Sequence, residues 1–159
     1  MGNVDEILNY VEVDALLSCA GQPRAEDFAA LGAGGFKEVI NLATAASTGH
    51  LPDEAELCAG AGMGFTWLPV AWDAPTLQDF EAFRAWLAPR RQTKTLVHCA
   101  KNWRASLFVA LYRVLEEGLS PDAAWEEVLS VWEPDGAWTG LARAVLSRAG
   151  SPLPEGLKK

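Results

Sequence analysis

The sequence is poor in residues that form covalent or metal cross-links. It has three cysteines, Cys19, Cys58 and Cys99, and two histidines. The cysteines form no Cys-x-x-Cys pair and no histidine cluster lies near them, so the pattern predicts neither a disulfide framework nor a zinc site. We therefore expect no metal site and at least one free thiol in each monomer.

Long apolar runs and basic residues are also scarce. Charges or glycines interrupt the apolar runs well before the roughly 20 residues that a bilayer helix needs. The start MGNVDEILNY lacks a basic segment followed by a hydrophobic block. With 13 basic against 21 acidic residues, the formal charge of -8 disfavours broad attraction to nucleic acid or anionic lipid. We expect a cytoplasmic protein that binds neither nucleic acid nor membrane, and that would have to bind an anionic ligand locally.

Strand patterns alternate with helix patterns along the chain, and half of the residues are apolar. Strands are predicted at Val11 to Ser18, Glu38 to Leu42, Phe65 to Val70 and Lys94 to His98. Helices are predicted at Ala25 to Leu31, Pro52 to Ala61, Thr76 to Pro89, Arg104 to Glu117, Pro121 to Trp132 and Trp138 to Ala149. This order favours a three-layer α/β fold with a mainly parallel sheet flanked by helices.

The length of 159 residues suits a single domain, and no linker or repeat divides it. The tail from about Ser151 to Lys159 is expected to be flexible. Thr76 to Asp79 has the pattern of a capping box, which explains Asp79 as a structural residue.

The most informative segment follows the fourth predicted strand. Cys99 ends the strand, a short polar loop follows, and Arg104 lies where an apolar helix begins. Ligands of parallel α/β sheets bind beyond the carboxyl ends of the strands. Loop N–H groups, a helix N-terminus and a guanidinium can together bind a phosphate, and their positive field also stabilises a thiolate. The predicted phosphate-binding residues are Ala100, Lys101, Asn102, Trp103, Arg104 and Ala105.

The segment His98-Cys99-Ala100-Lys101-Asn102-Trp103-Arg104-Ala105-Ser106 resembles the prokaryotic tyrosine-phosphatase-like family related to dual-specificity phosphatases, which includes the beta-lactamase-hydrolase-like proteins. Gly21-Gln22-Pro23, Val39-Ile40-Asn41-Leu42 and Pro69-Val70-Ala71-Trp72-Asp73-Ala74-Pro75-Thr76 support the resemblance. It covers nearly the whole chain.

The resemblance implies a cysteine-dependent phosphatase that forms a phosphocysteine intermediate on Cys99, without a cofactor. The substrate would be a phosphorylated protein or a small-molecule phosphate. Asp73, in the loop after the third predicted strand, is the candidate general acid. Ser106, in the first turn of the following helix, is a candidate for assisting departure of the thiolate.

One departure from the general tyrosine-phosphatase signature is the loop length. Four residues separate Cys99 from Arg104, where the signature has five. We expect Arg104 to bind the phosphate in this shorter loop, with Asn102 adopting the positive φ that glycine would otherwise supply. Rhodanese sulfurtransferases also have four residues between their cysteine and arginine, so sulfur transfer is one alternative. A phosphate-binding pseudophosphatase is another.

The neighbouring residues have weaker predicted roles. His98 should point to the opposite face of the sheet and order the loop through hydrogen bonds. Lys101 and Trp103 are candidates for substrate contacts, with simple surface exposure as the alternative. We expect the remaining tryptophans in strand or helix patterns to lie in the core: Trp67, Trp86, Trp125, Trp132 and Trp138.

Overall fold

A five-stranded sheet is the centre of the computed structural model, which describes residues 3–158. The strands are β1 Val11–Asp14, β2 Leu17–Ala20, β3 Glu38–Asn41, β4 Gly64–Trp67 and β5 Thr95–His98. Their order across the sheet is β1-β2-β5-β3-β4. Only the pair β1 and β2 is antiparallel, while β2, β5, β3 and β4 run parallel. The predicted mainly parallel sheet is confirmed.

Helices cover both faces of this sheet. They are α1 Asp27–Ala33, α2 Glu54–Gly60, α3 Leu77–Leu87, α4 Trp103–Glu117, α5 Pro121–Leu129 and α6 Gly136–Arg148. Strand residues that alternate in sequence belong to two separate apolar clusters, as the pleat of a strand requires. Val39 and Leu96 pack with α1 and α2, whereas Ile40 and Val97 pack with α3 to α6. The predicted three-layer α/β architecture is therefore confirmed.

The first predicted strand differs from the structure. Val11 to Ser18 was expected as one strand, but this segment belongs to a hairpin of β1 and β2. The chain reverses after Asp14, whose Oδ1 accepts a hydrogen bond from the Leu16 amide at 2.9 Å. An aspartate that bonds the backbone two residues ahead can form a tight turn without glycine or proline. The prediction of a single strand was wrong because this turn lacks those residues.

The described part of the C-terminal tail, residues 151–158, contacts the larger helical layer. Leu157 is buried in the apolar cluster of the larger helical layer. The Arg143 Nε donates to the Leu157 carbonyl at 3.0 Å, and the Glu155 amide donates to Asp122 Oδ1 at 2.9 Å. These contacts hold the described part of the tail against α5 and α6. Met1, Gly2 and Lys159 lie outside the described residues.

Several helix ends follow the sequence signals. Thr76 and Asp79 form the predicted capping box at the start of α3. The Ser120 side chain accepts from the Ala123 amide at the start of α5, and Gly118 ends α4 with φ 73°. Helix α5 stops at Leu129, earlier than the predicted Trp132. Within residues 3–158, no helix combines the length and apolarity needed to cross a membrane.

Candidate active site

A pocket of about 360 Å³ opens beyond the carboxyl end of β5, the central strand. It is lined by Thr44, Ala46, Ser47, Thr48, Trp72, Cys99, Ala100, Lys101, Trp103 and Arg104. Cys99 lines this pocket and has 1% of its surface exposed. The structure thus brings Cys99 and Arg104 to one pocket, together with three of the loop residues predicted to bind phosphate.

The loop after Cys99 is hydrogen-bonded to the backbone at the end of the neighbouring strand, β2. The Cys99 amide donates to the Ala20 carbonyl at 3.2 Å, and the Gln22 amide donates to the Ala100 carbonyl at 3.0 Å. Asn102 adopts φ 69°, as its sequence position predicted, and its Nδ2 donates to the Asn9 carbonyl at 2.8 Å. This left-handed residue turns the chain directly into α4.

Helix α4 starts beside Cys99 without a side-chain cap. Asn102 occupies the cap position, but its side chain makes no capping hydrogen bond. The first N–H groups of a helix have no partner within the helix and carry its positive end. The start of this 15-residue helix can therefore supply N–H groups and positive potential to an anion in the pocket.

The Arg104 guanidinium is fixed by two contacts outside its own helix. Its Nη1 donates to the Val70 carbonyl at 2.9 Å and its Nη2 donates to Ser47 Oγ at 3.3 Å. The residue is 5% exposed. A guanidinium has five N–H groups, so these two bonds leave three for a ligand. Arg104 is thus oriented by the protein and retains donors for an oxyanion.

The loop after β3 forms the wall opposite the cysteine loop, and sequence analysis treated it only as a polar loop. Its residues Thr44, Ser47 and Thr48 carry hydroxyl groups and line the pocket. Ser47 Oγ accepts from the Thr44 amide at 3.1 Å as well as from Arg104. This loop follows β3, a strand parallel to β5, and that position was the signal that could have identified Ser47 as a residue of the site.

Tryptophans form one side of the pocket. Trp103 stacks on Trp132 with ring centroids 5.3 Å apart, and both contact the ring of Trp72. Trp138 is buried below them, and its Nε1 donates to the Trp72 carbonyl at 2.7 Å. This contact fixes the residue before Asp73.

Trp67 is the exception among the tryptophans expected in the core. It is 45% exposed, so its predicted core position is wrong. It lies at the end of the edge strand β4, where its indole stacks on His50 and its Nε1 donates to the Ala43 carbonyl at 2.6 Å. At this edge of the sheet the indole packs against the loop after β3 and is not enclosed by the core.

The two remaining candidate catalytic residues lie outside the pocket lining. Asp73 is exposed and follows Trp72 in the loop between β4 and α3. Ser106 is buried in the first turn of α4, and its Oγ donates to the Trp103 carbonyl at 3.1 Å. The ten lining residues of the pocket include no carboxylate. Asp73 is the carboxylate that the sequence places next to a lining residue.

His98 points away from Cys99, towards α2, as strand alternation predicted. It is fully buried, and its Nδ1 lies 3.2 Å from the Cys99 carbonyl oxygen. Its Nε2 lies 2.5 Å from Oε2 of Glu54, a residue that sequence analysis did not single out. The imidazole therefore connects the backbone of the candidate nucleophile to a buried carboxylate.

Cys19 and Cys58 have the environment of structural cysteines. Burial raises the pKa of Cys19 to about 12, although a hydrogen bond with Asn102 opposes the shift. Burial, with the nearby Glu54 charge, also raises the pKa of Cys58 to about 12. Both side chains remain neutral thiols near neutral pH, which leaves Cys99 as the candidate nucleophile.

The fold agrees with that of known proteins. No protein-family model matches the sequence. A solved structure of a DUF442 phosphatase-like protein from Shewanella putrefaciens CN-32 is 32% identical, covers 92% of this chain and 97% of its own, and superposes with a TM-score of 0.83. P. aeruginosa TpbA is 23% identical over 86% of this chain and 84% of its own, with a TM-score of 0.70, and shows the fold alone.

Curated relatives match part of their length. The beta-lactamase hydrolase-like proteins of Xylella fastidiosa and Agrobacterium fabrum are 28% identical over 118 residues and 30% identical over 112 residues. These matches cover 72% and 69% of this chain but 27% and 26% of the relatives. The chain thus spans about a quarter of the length of these relatives.

A three-layer α/β domain with a pocket at the end of its central parallel strand has the fold of the cysteine-dependent phosphatases related to tyrosine and dual-specificity phosphatases. The similarity to the S. putrefaciens protein extends over nearly the whole of both chains. This chain belongs to the DUF442 family of phosphatase-like proteins, and the resemblance found in the sequence is confirmed.

Proposed function

We propose that this protein hydrolyses phosphomonoesters with Cys99 as the nucleophile. The observation that carries the proposal is the shared pocket of Cys99 and Arg104 at the uncapped start of α4. A dianionic phosphoryl group suits this site, because the guanidinium, the helix N-terminus and the loop amides of residues 100–105 are all donors. The same donors favour the thiolate form of Cys99.

The reaction has two steps. The Cys99 thiolate attacks phosphorus, the bond from phosphorus to the ester oxygen breaks, and Asp73 gives its proton to the departing oxygen. Water then attacks the phosphocysteine, the phosphorus–sulfur bond breaks, and inorganic phosphate leaves with Cys99 restored as thiolate. The Asp73 carboxylate accepts the proton of the water. Ser106 assists the departure of the Cys99 thiolate from phosphorus by turning its hydroxyl from the Trp103 carbonyl towards the sulfur.

The pocket suits an ester with an aromatic or similarly flat group. Trp72 and Trp103 offer ring surfaces beside Cys99, which can pack against an aryl leaving group. Another structure of TpbA, 21% identical and with a TM-score of 0.65, is a complex with phosphotyrosine. Our proposal covers phosphotyrosine-like esters and small-molecule phosphates.

The test compares two reactions in the same preparation. The parent protein should release phosphate from an aryl phosphate and should form no thiocyanate from thiosulfate and cyanide. Cys99→Ser should abolish phosphate release because the serine hydroxyl is a far poorer nucleophile. Cys58→Ala, in the layer on the other face of the sheet, is the control and should keep its turnover.

Two outcomes would replace the proposal. Thiocyanate formation without phosphate release would assign sulfur transfer to the site. Binding of phosphate or a phosphate analogue by the parent, with no release from any ester, would assign a pseudophosphatase. Unchanged phosphate release by Cys99→Ser would exclude Cys99 as the nucleophile.

A further inference from the structure

Three sequence motifs that the proposed chemistry does not use converge on one carboxylate. They are Gly21-Gln22-Pro23 after β2, the end of β3 at Asn41, and His98 before the nucleophile. The side chain that their polar residues contact is Glu54, the first residue of α2. Gln22 Nε2 lies 3.3 Å and Asn41 Nδ2 3.4 Å from its Oε1, and His98 Nε2 lies 2.5 Å from its Oε2.

Burying the Glu54 carboxylate costs free energy unless a nearby positive charge balances it. Glu54 is 2% exposed and His98 is 0% exposed. An isolated buried carboxylate loses its hydration, and only a nearby cation and several donors compensate for that loss. Asp53 and Glu56, its neighbours in sequence, are exposed and need no such partners. The position of Glu54 therefore requires an explanation beyond an acidic helix start.

The hydrogen-bond partners determine where the protons lie. The ring nitrogen Nδ1 of His98 faces a carbonyl oxygen, which only accepts, so Nδ1 carries a proton. A second proton must lie between Nε2 and Glu54 Oε2, since both would otherwise present lone pairs at 2.5 Å. Two amide groups donate to the other oxygen of Glu54, which favours the carboxylate. The two donors on Oε1 thus favour an imidazolium paired with a carboxylate over a neutral pair.

The network reaches both walls of the pocket. On one side, His98 donates to the Cys99 carbonyl, and the backbone amide of Gln22 donates to the Ala100 carbonyl. On the other side, Asn41 Oδ1 accepts from the Ala43 amide at 2.8 Å. That bond starts the loop in which Ser47 binds Arg104. The Glu54 carboxylate thus orients groups that support both the candidate nucleophile, Cys99, and the candidate anion-binding residue, Arg104.

We propose that Glu54 is a positioning residue for Cys99, acting through His98. Its carboxylate keeps the second proton on His98, and the resulting cation behind the Cys99 carbonyl stabilises the Cys99 thiolate. The proposal deepens the function proposed above and rests on it only where turnover is the readout. Glu54 acts from the opposite face of the sheet and does not line the pocket.

Two buried thiols and a guanidinium beside the network keep a constant charge near neutral pH. Cys58 lies one turn further along α2, and Cys19 lies on β2 beside Cys99. Burial raises the pKa of both thiols to about 12. On α4, the Arg104 guanidinium is always protonated. The other histidine, His50, lies in the loop between Ser47 and α2, so the pH profiles are compared in a His50→Gln background. A change in pH dependence caused there by substitution of Glu54 reports on His98 and Cys99.

The first test substitutes the carboxylate alone. Glu54→Gln keeps the shape of the side chain but removes the charge that holds the second proton on His98. Alkylation of Cys99 by iodoacetamide, followed by mass spectrometry across pH, should slow by on the order of tenfold at neutral pH and shift to higher pH. Glu56→Gln is the matched control on the exposed side of α2, and its profile should superpose on that of the parent. A folded Glu54→Gln with the parent profile would overturn the proposal.

The second test uses the unsubstituted protein, so it does not depend on the variant folding. The sequence contains two histidines, and the His50→Gln variant assigns their nitrogen resonances in an NMR spectrum. We expect both ring nitrogens of His98 to carry protons at neutral pH. An unprotonated Nε2 would overturn the proposal. Neither test needs a substrate. If unchanged phosphate release by Cys99→Ser excluded the proposed phosphatase mechanism, the results of these two tests could still be interpreted.

Discussion

Charged side chains at the two ends of the sheet differ in how deeply they are buried. At the carboxyl end, Glu54 and His98 form a pair that is almost completely buried, directly behind Cys99. At the amino end, Arg91 Nη2 lies 2.6 Å from Asp14 Oδ2, and Arg91 Nε lies 2.6 Å from Glu117 Oε2. The Asp14 side chain is 40% exposed. A buried pair costs desolvation and is retained only in a defined geometry. Partly exposed pairs contribute little and tolerate change.

We therefore expect the two kinds of ion pair to differ in their importance to function, although their contacts are similarly short. Substitutions at the carboxyl end should alter turnover. Substitutions at the amino end should alter stability slightly and leave turnover unchanged.

The largest effect is expected at Arg104. Arg104→Lys keeps the charge but replaces a planar fork of donors with a point charge that cannot contact Val70, Ser47 and a phosphate together. Turnover of an aryl phosphate should fall by orders of magnitude, measured by phosphate release. Arg91→Lys, at the amino end, is the matched control and should retain full turnover. Parent-like kinetics for Arg104→Lys would remove this residue from the phosphate site.

A smaller, substrate-dependent effect is expected at Asp73. Asp73→Asn should slow hydrolysis of phenyl phosphate by about 100-fold or more, because its leaving group is basic and needs a proton. Esters of much more acidic phenols should be affected far less. Asp79→Asn is the control, since Asp79 belongs to the capping box of α3. Equal slowing of both ester types by Asp73→Asn, or a larger leaving-group dependence in Asp79→Asn, would exclude Asp73 as the acid.

The smallest effect is expected at Asp14. Partial burial raises the pKa of Asp14, but hydrogen bonds from Arg91 and the Leu16 amide, with the Arg91 charge, bring it below the ordinary value of 3.8. A lowered pKa in the folded state stabilises the protein above the unfolded value, and this contribution is lost as the pH falls through the folded value. Asp14→Asn keeps an acceptor for Leu16, so only the charge is tested.

Solvent screening limits the size of this contribution. We expect Asp14→Asn to lower the free energy of unfolding at neutral pH by less than about 1 kcal/mol. The melting temperatures of variant and parent should converge as the pH falls from 3.8 through the lowered pKa of the folded state, where the parent carboxyl also becomes neutral. A stability difference that persists at acid pH, or a loss of turnover, would contradict the contrast between the two ends.

Sequence patterns predicted the layers of the fold and the loop with Cys99 and Arg104 because these depend on local signals. Strand periodicity identified β3, β4 and β5, and Gly118 marked the end of α4. The β1–β2 hairpin was missed because Asp14 makes its turn without glycine or proline. Contacts between distant segments, such as Leu157 with the larger apolar cluster, leave no local pattern.

Glu54 shows why the site was only partly predictable. In the sequence it follows Pro52-Asp53 and has the pattern of a solvated first turn of a helix. Its burial depends on three partners from separate segments, which only the sheet topology brings together. Ser47 was missed for the same reason, since its contact with Arg104 joins residues 57 positions apart. Such residues can be identified once the fold is known.

A trapping experiment tests most directly whether Cys99 becomes phosphorylated during turnover. The protein is mixed with an aryl phosphate, quenched in acid within one turnover, digested and analysed by mass spectrometry. We predict the added mass of one phosphoryl group on the peptide that contains Cys99, and no such addition in Cys99→Ser. Phosphate release without any phosphorylated Cys99 peptide, or a phosphoryl group on another residue, would contradict the account.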